Sequence, residues 1–269
     1  MADRIGPARQ KCAVTVLGGP TTVIDIGGLR IIADPTFDDP GQKSYLTKLT
    51  GPAACEADVG PVDAALVSHD LHPDNLDEGG RAFALAAPVL LTGPVSARRL
   101  GPPAVGLAPW TTHELPRADG GGLLKVQALP AVHGPEDGDR DEDGHVNCEV
   151  TGFLLSGQDL PTVYVSGDNA SMGAVAEIAR RVGAVDVAVL FIGGARVPAK
   201  ERGRPLTLTS ERAAAAAAVL DAPIVIPAHY DGWAHFSEGR AEIDRAFDDA
   251  GLTSRLRGAD HGEWTALAP

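Results

Sequence analysis

The chain has 269 residues, 44% of them hydrophobic, with 32 glycines and a formal net charge of −13. That charge repels phosphate backbones, and no basic cluster exceeds the short patch of Lys200, Arg202 and Arg204, which disfavours a general nucleic-acid partner and leaves room for a local basic pocket for one small anion. No apolar run reaches the ~20 residues that span a bilayer.

Residues 1–11 mix charge with Gly and Pro and lack the apolar stretch of a leader, so a cytoplasmic location is expected. The three cysteines, Cys12, Cys55 and Cys148, have no paired spacing, which argues against a disulfide framework or a zinc–thiolate cluster.

In chain order, β-branched runs at 13–17, 22–26 and 29–33 are separated by Gly18-Gly19-Pro20 and Gly27-Gly28 and predict an antiparallel meander. The apolar run 62–67 predicts a buried strand ending at Ser68-His69, followed by helices at 76–85 and 95–100. Further strands are expected at 123–129, 150–155 and 162–165. A helix over 171–182 would place Met172, Val175, Ile178, Ala179 and Val182 on one face. Then come a buried strand at 186–192, an alanine-rich helix capped by Ser210 and running to 220, a strand at 223–227 and a helix at 238–250. Two similar β-then-α halves with no linker between them predict one domain over 1–269, an αββα sandwich with helices outside two sheets. Asp139-x-Asp141-x-Asp143-Gly144 opens like a calcium loop. Val150 stands where the bidentate acid belongs and no helices flank it, so a solvated loop is expected.

Chemistry concentrates in Ser68-His69-Asp70-Leu71-His72-Pro73-Asp74-Asn75-Leu76-Asp77, directly after a predicted buried strand. Strand ends are where α/β proteins place ligand sites, and imidazole with carboxylate suits zinc, manganese or iron(II). Asp74 or Asn75 could instead cap the helix that follows. His133, Asp168 in Gly167-Asp168-Asn169, and His229 in Pro227-Ala228-His229 each follow a predicted strand in the same way. They converge if those strands share one rim.

In the order His-rich turn, His, Asp, His, the chain resembles the metallo-β-lactamase superfamily, nearest to the branch of ascorbate-6-phosphate lactonase and N-acyl-phosphatidylethanolamine phospholipase D. Ile31-Ile32-Ala33-Asp34-Pro35 resembles a strand and Asp-Pro step of that branch. The resemblance implies the four-layer αββα fold, and the metal ligands His69, His72, Asp74, His133, Asp168 and His229. The family turn reads His-x-His-x-Asp-His. Here an extra residue separates His69 from His72, so that Asp70 competes with His69 as first ligand, and Asn75 replaces the last histidine.

The implied activity is a metal-dependent hydrolase that uses a metal-bound hydroxide on an ester, lactone or phosphodiester of a small molecule. One or two divalent ions would be held per chain, zinc first, with manganese or iron as alternatives. Asp74 would be the general base. His235 would be a proton donor or replacement ligand, and Tyr230 and Trp233 would line the substrate pocket. Asp34 would either orient a ligand or shape a turn. A degenerate ligand-binding member and an iron-dependent oxidoreductase are the competing readings, and self-association is left open.

Overall fold

In a computed structural model describing residues 4–258 and 260–267, the expected meander is formed by β1 (Cys12–Gly18), β2 (Thr21–Ile26) and β3 (Leu29–Ala33). A small hairpin, β4 (Gly41–Lys43) and β5 (Leu46–Lys48), and a short helix α1 (Glu56–Val59) lead into β6 (Ala64–Leu66). Next come α2 (Glu78–Ala86), β7 (Leu90–Thr92), α3 (Pro94–Leu100), β8 (Ala104–Gly106) and β9 (Thr112–Pro116). The second half contains β10 (Leu123–Pro130), β11 (Thr151–Gly157), β12 (Val163–Val165), α4 (Met172–Val182), β13 (Val187–Phe191), α5 (Ser210–Val219), β14 (Ile224–Ala228), α6 (Arg240–Asp249) and β15 (Thr265–Ala266). Residues 1–3, 259, 268 and 269 of the expected span lie outside those described.

The strands form two large sheets, ordered β15-β1-β2-β3-β6-β7-β8 and β14-β13-β12-β11-β10-β9. β1 to β3 pair antiparallel. β3, β6, β7 and β8 run parallel, as do β12, β13 and β14. One core, including Ile24, Ile31, Leu66, Val126, Phe153, Val165 and Phe191, fills the space between the inner faces. A second core packs Tyr164, Leu190 and Val225 against Val175 and Ile178 of α4, Ala213 and Ala217 of α5 and Phe247 of α6. On the other outer face, Val23, Ile32 and Ala65 meet Val59 of α1 and Ala84 of α2. The four layers are therefore helix, sheet, sheet, helix, as expected from the sequence.

Local boundaries follow capping chemistry. Ser171 accepts from Ala174 N and starts α4 where expected. For α5 the cap is Thr209, one residue before the expected Ser210, because Thr209 Oγ1 faces Arg212 N at 3.4 Å while Ser210 N donates to Glu238. The hairpin β4–β5 is pinned by Lys48, whose ammonium meets Asp77 at 2.9 Å in a nearly dry ion pair. Asp77 also caps α2. No described helix is long and apolar enough to cross a membrane.

Candidate metal centre

Asp34, His69, Asp168 and His229 each follow the C-terminal end of a strand, namely β3, β6, β12 and β14, and His133 follows β10. These strands leave their sheets at a common rim, so short turns deliver side chains from remote segments to one spot. His229 adopts a positive φ of 57° at this rim. Gly193 makes that turn fit, because a Cβ there would lie 2.2 Å from the His229 carbonyl oxygen.

Within the β6 turn, His69 Nε2 lies 2.8 Å from His72 Nδ1, and His133 Nε2 lies 3.0 Å from the same atom. All three rings are almost fully buried. The inserted residue is absorbed outward. Leu71 is half exposed, and Asp70 turns away to a bidentate pair with Arg99. His69 therefore faces the cluster and Asp70 does not.

Hydrogen-bond partners fix most of the ring protons. His133 Nδ1 meets the Leu206 carbonyl at 2.9 Å, so Nδ1 carries hydrogen and Nε2 presents a lone pair. Ser68 Oγ donates to Asp34 Oδ2 at 2.6 Å, so with Asp34 ionised it can only accept from His69 Nδ1 at 3.0 Å. His69 Nε2 is then a lone pair as well. Two lone pairs and His72 Nδ1 meet at separations of about 3 Å, which neighbouring ligands adopt around an ion bound at ~2.0–2.1 Å. Burial and the neighbouring rings hold His69 and His72 well below the ordinary histidine pKa, and burial brings His133 down to about 4. All three are thus neutral, ligand-ready imidazoles at pH 7.

A second group, Asp74, Asp168 and His229, lies alongside. Asp168 faces both groups, with Oδ2 3.5 Å from His133 Nε2 and Oδ1 3.5 Å from His229 Nε2. Asp74 Oδ2 is approached by His229 Nε2 at 3.2 Å and His235 Nε2 at 2.9 Å, while its buried Oδ1 has no partner. Burial raises the Asp74 pKa, but the neighbouring His235 and the hydrogen bonds from His229 and His235 outweigh it, so Asp74 stays ionised. Asp168 is pushed up by burial and by the Asp74 charge, against a hydrogen bond from Asn75. Among the described residues no Lys or Arg pairs with Asp34, Asp74 or Asp168. Three dry carboxylates beside convergent imidazoles fit divalent cations.

Asn75 does not reach toward an ion. Its Nδ2 donates to Asp168 Oδ1 at 3.0 Å and to Asp34 Oδ2 at 3.2 Å. Asp34 thus orients Ser68, His69 and Asn75 rather than merely shaping a turn. The remaining expected residues divide. His235 joins the centre through Asp74. Trp233 is buried under the hairpin with Lys48 over its ring, and Tyr230 packs toward His261 and the helical layer, away from the cluster.

Two residues without a site role in the sequence reading lie at the centre. Cys148 is buried within reach of His69, His72 and His133, with its thiol pushed up by burial. Tyr45, on the β4–β5 turn, lines the same small cavity as His72, Asp74 and Asp168. From the basic patch, Lys200 alone turns inward, and its Nζ lies 2.9 Å from His72 Nε2. Arg204 pairs with Asp137 and Glu201 instead. Beside the cluster a groove of about 420 Å³ runs between the hairpin and α2, and His72 forms part of its wall.

A family model described as a beta-lactamase superfamily domain matches residues 29–230. No curated protein matches the chain. Among solved structures, an isothiocyanate hydrolase from Delia radicum gut bacteria is similar with a TM-score of 0.77 and 20% identity, over 94% of this chain and 98% of that one. A possible metal-dependent hydrolase from Veillonella parvula has a TM-score of 0.79 and 15% identity, over 96% and 100%. A diiron β-hydroxylase from Streptomyces venezuelae has a TM-score of 0.68 and 16% identity, over 97% of this chain and 55% of that one. At these identities the likeness is one of fold.

Proposed function

The chain belongs to the beta-lactamase superfamily, and from that premise we propose that it is a metal-dependent hydrolase cleaving an ester, lactone or phosphodiester bond of a small molecule. The convergence of His69, His72 and His133 on one point, with Asp168 linking it to Asp74 and His229, carries this reading. His69, His72 and His133 would hold the first ion, with Asp168 facing it. Asp74, Asp168 and His229 would hold a second, more weakly, because Asn75 spends its amide on orienting carboxylates. Zinc is the expected metal, and manganese or iron suits the carboxylate-rich half.

A bound ion would supply Lewis-acid polarisation of the scissile bond and would acidify water near neutral pH. The chain's own contribution is positional and acid–base. Asp74, kept ionised by two imidazoles, has Oδ1 free to take a proton from attacking water. His235, hydrogen-bonded to Asp74 Oδ2 and at the edge of solvent, would orient Asp74 and is placed to donate a proton of its own to a leaving group. The dry surroundings of the cluster strengthen each of these interactions.

The test is a panel of p-nitrophenyl ester, γ-lactone, bis-p-nitrophenyl phosphate and an aryl isothiocyanate, run on zinc- and manganese-loaded protein with and without chelator. Turnover of at least one compound is expected, abolished by chelator and by His72→Ala and Asp168→Ala. Activity surviving in both variants, or protein that retains no metal after loading, would overturn the proposal.

A further inference from the structure

We propose that Lys200 forms an anion subsite at the mouth of the metal centre, which selects substrates carrying a carboxylate or phosphate group near the bond to be cut. This rests on the hydrolase reading and narrows its substrate class.

Lys43, Lys48 and Lys125 pair with Asp38, Asp77 and Glu114 respectively. Lys200 is half-buried, yet among the described residues no carboxylate pairs with it. Its contacts are the His72 ring nitrogen, Asn147 Oδ1 at 2.8 Å and Tyr45, with the ammonium 5.1 Å from the centre of the Tyr45 ring. A half-desolvated ammonium with no carboxylate in contact attracts an anionic oxygen more strongly than a solvated one does.

Its position selects which anion can reach it. Lys200 is the one Lys or Arg lining the small cavity bounded by His72, Asp74, His133 and Asp168, which has room for about one water (about 10 Å³). Lys200 and Tyr45 line this cavity directly beside His72, Asp74 and Asp168. Asn147 beside it has a positive φ of 62° and a buried Nδ2 without a partner, a second donor at the same place.

The contact with His72 also depends on the cluster. When His72 lends Nδ1 to an ion, its ring proton resides on Nε2, which then cannot accept from Lys200. The ammonium is left with Asn147 Oδ1 and with donors to spare, one imidazole ring from the reacting centre. A substrate anion can take the place that the ring gives up.

The experiment measures binding rather than turnover. Zinc-loaded protein is titrated by calorimetry with acetohydroxamate, which is neutral beyond its metal-binding group, with succinyl monohydroxamate and with phosphonoacetohydroxamate. At least one anionic compound should bind about tenfold or more tightly than acetohydroxamate. The arm with the larger advantage tells carboxylate from phosphate. The advantage should vanish in Lys200→Met and largely return in Lys200→Arg, with circular dichroism and melting checking that both variants fold. Equal affinity for all three compounds, or an advantage that survives Lys200→Met, overturns the subsite and leaves the metal centre standing. If no hydroxamate binds in a chelator-sensitive way, the hydrolase reading falls and takes the subsite with it.

Discussion

Replacing Asp34 by asparagine should move stability and metal affinity in opposite directions. Asp34 is buried and accepts from Ser68 N and Ser68 Oγ at 2.6 Å each and from Asn75 Nδ2 at 3.2 Å. Burial lifts its pKa from 3.8 to about 7, against the pull of those hydrogen bonds. A gap of about 3 pH units corresponds to about 4 kcal/mol. Because the folded value is the higher one, this stabilisation of metal-free protein is complete below pH 3.8 and is lost as pH rises to about 7.

Asparagine has no charge to desolvate, but its NH2 opposes Ser68 Oγ or the Asn75 amide, at a cost of about 1–3 kcal/mol. Chelated Asp34→Asn should therefore melt a few degrees above wild type at pH 8. Zinc affinity should fall about 10–100-fold, since the Ser68–His69 and Asn75–Asp168 arms lose their anchor. Competition against a chromophoric chelator, with thermal melts of the stripped protein, reads both quantities. A zinc affinity within about twofold of wild type in a folded variant would refute the orienting role.

Two further outcomes follow from the same geometry. In metal-free protein the neutral imidazoles of His69, His72, His133 and His229 gain protons on unfolding, so they cost stability as pH falls from 6.5 to about 4, against the gain that Asp34 and Asp168 bring over the same range. His133 contributes about 2 kcal/mol to that loss between pH 7 and 4.5, so the stability difference between those two pH values should change by about that much in chelated His133→Gln, and urea melts showing the same difference in variant and wild type would contradict it. Calorimetric zinc titration of stripped protein should resolve a tight and a weaker event. In His133→Ala the tight event should be lost, and a titration with the tight event intact would displace the first ion from the three imidazoles.

What the sequence discloses and what it hides divide along the range of the interactions involved. Strands β1 to β3, β6 and β10 to β14 are legible because each buries a run of apolar residues long enough to set a period. The histidines and aspartates are legible because they sit at the ends of those runs. β7 and β8 lie in stretches broken by Pro88 and Gly93 and by Pro103 and Gly106, and β9 alternates mostly polar side chains, so no pattern distinguishes them from loops. Residue direction is hidden for the same reason. Lys200 and Arg204 are four apart in one basic stretch, and only the fold turns the first toward His72 and the second toward Asp137. Tyr230 follows His229 directly and yet leaves the centre.

The two departures in the β6 turn show why spacing alone could not assign roles there. The insertion matters little to the histidines, because Leu71 loops out and Arg99 holds Asp70 aside, so His69 and His72 still meet. Asn75 matters more. It keeps a hydrogen bond to Asp168 across 93 residues of chain and offers no imidazole, so Asp168 is held in place while the second ion proposed beside it would have one nitrogen fewer. An amide donor can orient a carboxylate but is a poor transition-metal ligand. The asymmetry between the two halves of the centre is therefore built in at this one position.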